Sequence, residues 1–493
     1  MTGCETNVHR RDFLRAAVAM VAAAALPRAA SAGSGGEPRR PNVILFFTDD
    51  QGYNDVGCFG SPDIATPHFD RMAREGTRLT DFYAMPVCGP SRGALMTGCY
   101  PIRVAEPGNR KNQHTVLHPQ EVTIAEVLKA AGYATGMVGK WHLAGGRKAT
   151  YPPQLMPTGR GFDTFFGTPL HNGFTRTVNP KSFKTQLMRG NDVIDDFLDQ
   201  GEMNTITQRY TEEAVRFIRE HQDGPFFLYL AHNMPHVPLG ASERWRGKSK
   251  RGLYGDVIAE LDWSLGQVLG ALKELGIDRD TLVLFTSDNG PWVEKHLGDY
   301  GGSADPLRGS KMMTWDGGSR VPCIARWPGH VPAGRVSREM VSTLDFLPTF
   351  ARLAGADVPA DRTIDGLDVS DFLLGRSETS PRTRYCFYCY THLQAVREGR
   401  WKLVLPRPAH PKWCGWSARM VDAVEEVALY DLADDVAETH NVAADHADVV
   451  KRLMGAVEEA RRDLGDYDRI GRGARFFDSG PRRPDVARWA SKG

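Results

Sequence analysis

The stretch Pro41-Asn42-Val43-Ile44-Leu45-Phe46-Phe47-Thr48-Asp49-Asp50-Gln51-Gly52 carries an unbroken apolar run straight into two carboxylates. A run without polar alternation is what a strand buried on both faces of a parallel sheet requires. Burial on two sides needs helices above and below, so the stretch predicts a layered α/β fold. It also delivers Asp49 and Asp50 to the strand's carboxyl end, where open α/β sheets place their ligands. Two adjacent carboxylates repel unless a positive group lies beside them. A divalent cation is one remedy, and hard oxygen ligands suit Ca²⁺ or Mg²⁺. An exposed acidic turn is the other reading of an isolated Asp-Asp.

Downstream, strand and helix signals alternate. Thr66-Pro67 opens a helix, with Thr66 as N-cap and Pro67 at the first position. Residues 122–131 set Val122, Ile124, Val127, Leu128 and Ala131 largely on one helical face, Gly132 ends that helix, and 133–139 reads as a strand. Residues 225–230 form another strand, 256–275 an amphipathic helix, and 281–286 a strand ending at Ser287-Asp288-Asn289-Gly290. That second strand end supplies one more carboxylate and an amide oxygen. Asp49, Asp50, Asp288 and Asn289 together then make a metal site drawn from two strands. The expected architecture is α/β: a large, mainly parallel (mixed) sheet flanked by helices over 41–375. A turn-rich boundary follows at Gly375–Arg382. Beyond it lies a smaller α+β C-terminal domain over 376–466, with strands near 400–405 and 428–432 and a helix at 447–464. Residues 467–493 read as a loose tail.

The 493 residues hold 61 Lys+Arg against 60 Asp+Glu, and this net charge of +1 offers no basic field for nucleic acid. A hydrophobic fraction of 41% with 25% charged residues is that of globular protein, which excludes long disorder or coiled coil. The N-terminus reads as an address. His9-Arg10-Arg11-Asp12-Phe13-Leu14-Arg15 precedes an alanine-rich run, Ala16 to Leu26, too short for the ~20 residues of a spanning helix. Ala30-Ser31-Ala32 is an A-x-A cleavage site. Residues 1–32 therefore read as a twin-arginine-type signal peptide, with 33–40 a linker. The expectation is a periplasmic or secreted protein with no transmembrane anchor. Seven cysteines remain after the leader. Cys386-x-x-Cys389, with His392, His410 and Cys414 downstream, admits a zinc or redox reading beside that of structural or disulfide cysteines.

Cys88-Gly89-Pro90-Ser91-Arg92 places a thiol just before a helix expected to start at Pro90, where free N–H groups favour an anion. Arg92 adds a fixed cation. A buried structural cysteine is the alternative. The block, with Leu95-Met96-Thr97-Gly98 after it, resembles the signature of type I sulfatases. Further blocks match in order: Gly139-Lys140-Trp141-His142, Pro235-His236-Val237-Pro238, Ser287-Asp288-Asn289-Gly290, Leu307-Arg308-Gly309-Ser310-Lys311 leading to Asp316-Gly317-Gly318, and Glu438-Thr439-His440-Asn441. The likeness spans roughly residues 41–445 and is similar to the arylsulfatase A and N-acetylgalactosamine-6-sulfatase types.

That resemblance implies an alkaline-phosphatase-like fold and a sulfuric-ester hydrolase acting on an aryl or carbohydrate sulfate. It implies conversion of Cys88 to Cα-formylglycine by a maturation enzyme, because a hydrated aldehyde offers one hydroxyl to attack sulfur and a second to expel sulfate. It assigns a metal, usually Ca²⁺, to Asp49, Asp50, Asp288, Asn289 and the residue-88 oxygen. Asp288 would take the proton of the attacking hydroxyl and Arg92 would steady the diol. Lys140 and Lys311 would bind sulfate oxygens; His236, with Lys311, would protonate the leaving alcohol; His142 would act as the second base. His171 stands where many arylsulfatases carry a serine, and is read as a substrate contact or a loop residue without a role. Two other classes fit the same fold: a phosphomonoesterase or phosphodiesterase of that superfamily, and a non-catalytic sulfated-glycan binding protein.

Overall fold

The computed structural model describes residues 40–104, 117–145, 150–174, 185–293 and 302–475. The signal peptide, its cleavage site, almost all of the linker and residues 476–493 lie outside them.

The opening run forms the strand Asn42–Thr48, every residue of it buried. Its side chains divide by parity. Ile44 and Phe46 enter a core shared with Leu261 and Leu265, while Val43, Leu45 and Phe47 enter a second core with Leu128, Phe346 and Phe350. Two cores on two faces explain why no polar residue interrupts the strand.

Ten strands make the main sheet, in the spatial order Arg335–Ser337, Thr77–Leu79, Cys323–Arg326, Thr281–Ser287, Asn42–Thr48, Phe226–Ala231, Ala134–Lys140, Thr164–Thr168, Leu187–Arg189, Asp192–Asp195. The five from Thr281–Ser287 to Thr164–Thr168 run parallel. Antiparallel pairing appears towards both edges. Helices Gln200–Glu220 and Gly252–Glu274 cover one face; Ile124–Ala130 and Phe346–Ala354 cover the other. Thr66 does precede the helix Pro67–Glu75, but its hydroxyl accepts the Gly57 N–H and does not cap the helix.

The C-terminal sheet has four antiparallel strands, Arg384–Cys389, His392–Glu398, Trp401–Val404 and Ala428–Asp431, with helix Ala447–Asp463 packed on it through Val449, Leu453 and Val457. The first two strands went unread in the sequence. Cys386-x-x-Cys389 lies on one of them, with a register irregularity between Phe387 and Tyr388. Cys386 joins the C-terminal core, whereas Cys389 and Cys414 join the main one, and His410 is exposed. Three positions apart on one strand, Cys386 and Cys389 face opposite sides, so the C-x-x-C is not a facing pair of thiols, and all seven cysteines among the described residues are free. The tail is also corrected up to residue 475. The Gly473 carbonyl accepts from Arg103 Nη1 at 2.9 Å, and Arg475 pairs with buried Glu121 at 3.0 Å.

Candidate active site

The parallel pairing of Asn42–Thr48 with Thr281–Ser287 sets Thr48 level with Ser287, so the residues that follow each strand emerge side by side. Asp49 and Asp50 leave one strand, Asp288 and Asn289 the other. Asp50 turns in the left-handed region (φ 65°), which a short carboxylate tolerates better than most side chains. Its backbone N–H donates to Asp288 Oδ1 at 3.1 Å, and that of Gln51 donates to Ser287 Oγ at 3.0 Å. Gly290 then lies against the loop of Gly317 and Gly318, its N–H bonded to the Gly318 carbonyl at 3.0 Å. A Cβ there would sit 1.8 Å from the Gly317 oxygen, so only glycine fits.

Each carboxylate meets its own cation. Lys140 Nζ lies 2.5 Å from Asp49 Oδ2, Lys311 Nζ 2.6 Å from Asp50 Oδ1, and Arg92 Nη2 2.8 Å from Asp288 Oδ2. Arg92 also donates from Nε to that same Asp288 oxygen and from Nη1 to the Lys140 carbonyl and the Tyr229 hydroxyl. All of these side chains are buried. Burial alone would push Asp49 up, but Lys140, His236, Arg92 and Lys311 hold it far below the usual carboxylate range. Asp288 is pushed up to about 7 by burial and then by the charge of Asp49, against the pull of Arg92. Lys311 stays strongly protonated, because the carboxylates led by Asp50 outweigh its burial.

Cys88 begins the helix Cys88–Thr97 as its first residue, two positions earlier than expected from Pro90. Burial raises its thiol, which faces Lys140, Lys311, Asp49 and Asp288. Ligand atoms of Asp49, Cys88 and Asp288 lie within 4.8 Å of one another, as do those of Asp49, Asp50 and His236. Two oxygens at this point, Asp49 Oδ1 and Asn289 Oδ1, are buried without a hydrogen-bond partner. Unmet oxygen acceptors beside carboxylates are the donor set a hard divalent cation takes, so the residues fit one.

His236 Nδ1 lies 2.6 Å from the Val237 carbonyl, which can only accept, so Nδ1 carries the proton and Nε2 faces Asp50 Oδ2 at 3.8 Å. Burial lowers His236 to about 4, which keeps the ring neutral in this state. The His171 ring lies 5.3 Å from that of His142 and 5.2 Å from that of His236, and its Nδ1 accepts the Gly173 N–H. The structure thus brings Asp49, Asp50, Cys88, Arg92, Lys140, His142, His171, His236, Asp288, Asn289 and Lys311 into one cluster. Sequence reasoning missed Tyr229 behind Arg92, the indole of Trp292 with Lys311 Nζ 5.5 Å from its centroid, and Gln51, whose buried amide has neither atom hydrogen-bonded. Gln51 adjoins the paired aspartates, and that adjacency was its signal.

Three buried carboxylates matched by three buried cations leave this cluster near neutral before any ion binds. A divalent ion would make it positive, a fitting seat for an anionic ester. Comparison with known proteins identifies the family. The family model described as "Sulfatase" matches residues 41–356, and one described as "N-sulphoglucosamine sulphohydrolase, C-terminal" matches 310–463. N-acetylgalactosamine-6-sulfatase of Sus scrofa is 40% identical over 76% of this chain and 73% of its own. Arylsulfatase A of Homo sapiens is 37% identical over 85% and 87%. Among solved structures, that of Ps i-CgsB in complex with k-i-k-neocarrahexaose superposes with a TM-score of 0.71 at 30% identity, over 85% of this chain and 92% of that one.

Proposed function

The chain belongs to the sulfatase family and is a sulfate-ester hydrolase; we propose that it acts on a carbohydrate sulfate at the cluster around Cys88. What supports this reading most is the one-to-one pairing of Asp49, Asp50 and Asp288 with Lys140, Lys311 and Arg92 around the position of the thiol. Asp49, Asp50, Asp288 and Asn289 would hold Ca²⁺, which would polarise the sulfate and lower the pKa of the attacking hydroxyl. Cα-formylglycine made from Cys88 would supply that hydroxyl and a second one for release of sulfate.

The chain's own side chains do the rest. Asp288, held by burial near the middle of the pH scale, accepts the proton of the attacking group. Arg92 fixes the Asp288 carboxylate and the end of the Ala134–Lys140 strand in one geometry. Lys140 and Lys311 turn from their aspartates towards the sulfate oxygens, where charge grows in the transition state. A sulfate beside His236 raises its affinity for a proton, so that the ring, with Lys311, can protonate the departing alcohol. His142 takes the second proton, and His171, between the two other rings, contacts the leaving group. A carbohydrate substrate is supported by the names of relatives and by the oligosaccharide bound in the Ps i-CgsB structure. No helix among the described residues is long and apolar enough to cross a membrane; the twin-arginine-type leader would direct the protein to export.

The test is direct. Protein co-expressed with a formylglycine-generating enzyme should release sulfate from 4-nitrophenyl sulfate and from sulfated saccharides, with a formylglycine mass in the 78–103 peptide. Full activity in protein whose Cys88 is entirely unmodified would overturn the mechanism. Faster hydrolysis of the matching phosphate esters would transfer the reading to a phosphoesterase.

A further inference from the structure

A second buried charge network lies where the C-terminal sheet meets the loop that carries Lys311. Lys402, on the strand Trp401–Val404, is wholly buried. Its Nζ lies 2.9 Å from the Thr314 carbonyl, 2.9 Å from Asp316 Oδ1 and 2.7 Å from Glu438 Oε1. Glu438 accepts the Asp316 N–H at 2.7 Å through Oε2, and its carbonyl takes Arg308 Nη1 at 3.0 Å. Thr314 donates to Gln394 Oε1 at 2.6 Å, and Tyr83 donates to Asp316 Oδ2 at 2.9 Å. The loop between these clamps runs from Arg308 through Lys311 to Asp316. It is tied to the cluster as well: the Lys311 N–H reaches the Pro291 carbonyl at 3.0 Å, and that of Met312 the Pro86 carbonyl at 2.7 Å. Met312 sits at φ 73°, a conformation that a non-glycine residue keeps only where its surroundings fix it.

A buried lysine between two carboxylates is poor value as stability, since well-packed apolar side chains usually do as well. Geometry is what the network supplies. We infer that Lys402, with Glu438, is a positioning residue for sulfate turnover: from the C-terminal sheet it fixes the 308–316 loop so that Lys311 Nζ is held beside Asp50, within a turn of its side chain from the sulfate seat. The inference rests on the reading of Lys311 as a sulfate ligand given above. Its test is a double-mutant cycle in kcat/KM on 4-nitrophenyl sulfate with the matured, Ca²⁺-loaded enzyme: wild type, Lys311→Ala, Lys402→Met and the double variant. Lys402→Met should lower kcat/KM at least tenfold in the Lys311 background and less than twofold in the Lys311→Ala background, because its effect passes through Lys311. An equal loss in both backgrounds, or no loss in a folded Lys402→Met enzyme, would overturn it. A Lys311→Ala enzyme of undiminished activity would instead remove the reading of Lys311. Should Lys402→Met fail to fold, Glu438→Gln, which keeps shape and removes one charge, takes its place in the cycle under the same criteria.

Discussion

Replacing Arg92 by Met tests how the cluster is held together. The guanidinium has no solvent exposure, and neither does its partner Asp288. The substitution removes two bonds to Asp288 Oδ2 and one each to the Lys140 carbonyl and the Tyr229 hydroxyl. Methionine fills most of the stem's volume, so the cavity contribution is small and the loss is electrostatic. Breaking a buried pair by deleting one partner costs about 3–5 kcal/mol, because the other charge is left buried and uncompensated. At roughly 2.1 cal/mol/K per residue of unfolding entropy, a chain of this size loses about 1 °C of Tm per kcal/mol. Arg92→Met should therefore melt about 3–5 °C below wild type in EDTA. Arg92→Lys, with a single ammonium that cannot span both Asp288 and the Lys140 carbonyl, should fall between them. Scanning fluorimetry at one fixed heating rate reads this out. A shift below 1 °C for Arg92→Met would mean that the fork does not hold the carboxylate, and the account of the site as three matched pairs would fail.

Cys88→Ala should abolish sulfate release while leaving Tm within about 1 °C of the unmatured protein, checked by paired activity and melting measurements. Ca²⁺ at a hundredfold excess over its Kd should stabilise the protein by about 2.7 kcal/mol, and Asp49→Asn should erase most of that shift in a calcium titration followed by melting. His232 lies outside the cluster, fully buried beside Ser264, and burial lowers it to about 3. Since the unfolded chain binds that proton near 6.5, stability is complete above that pH and falls as pH drops from 6.5 towards 3, by at most about 1.4 kcal/mol per pH unit. His232→Gln should flatten that acid limb in urea melts at pH 7, 6 and 5; an unchanged slope would refute it.

The central strands and the cluster were legible for one reason. Burial on both faces removes polar interruption, so Asn42–Thr48 and Thr281–Ser287 stood out, and acidic residues at the ends of both favoured a shared site over an exposed acidic turn. Order within the sheet, and the short strands Thr77–Leu79 and Arg335–Ser337 at one end of it, left no such trace. Three residues carry too little pattern, and their pairing is settled by partners far along the chain. The hairpin from Arg384 to Glu398 was hidden because nearly every residue of both strands is buried, so thiol, aromatic, polar and charged side chains follow one another without alternation. Lys402 was read only as part of a strand and Glu438 only as part of a matching block; that they meet each other was not legible, because their partners, Thr314 and Asp316, are remote in sequence. His171 was visible only as an oddity; the two imidazoles beside it belong to other loops.

Asn289 and Asp50 meet across a sequence separation of 239. The oxygen donors thus exist as a set only once the strands Asn42–Thr48 and Thr281–Ser287 have zipped together in register. A slip of one residue would carry Asp49 to the wrong side of the sheet. Ion binding at the proposed site would accordingly be a late property of the folding chain: a ribosome-bound fragment that stops short of residue 281 lacks Asp288 and Asn289, and a divalent ion would act as a seal on a finished molecule and not as a seed for an unfinished one.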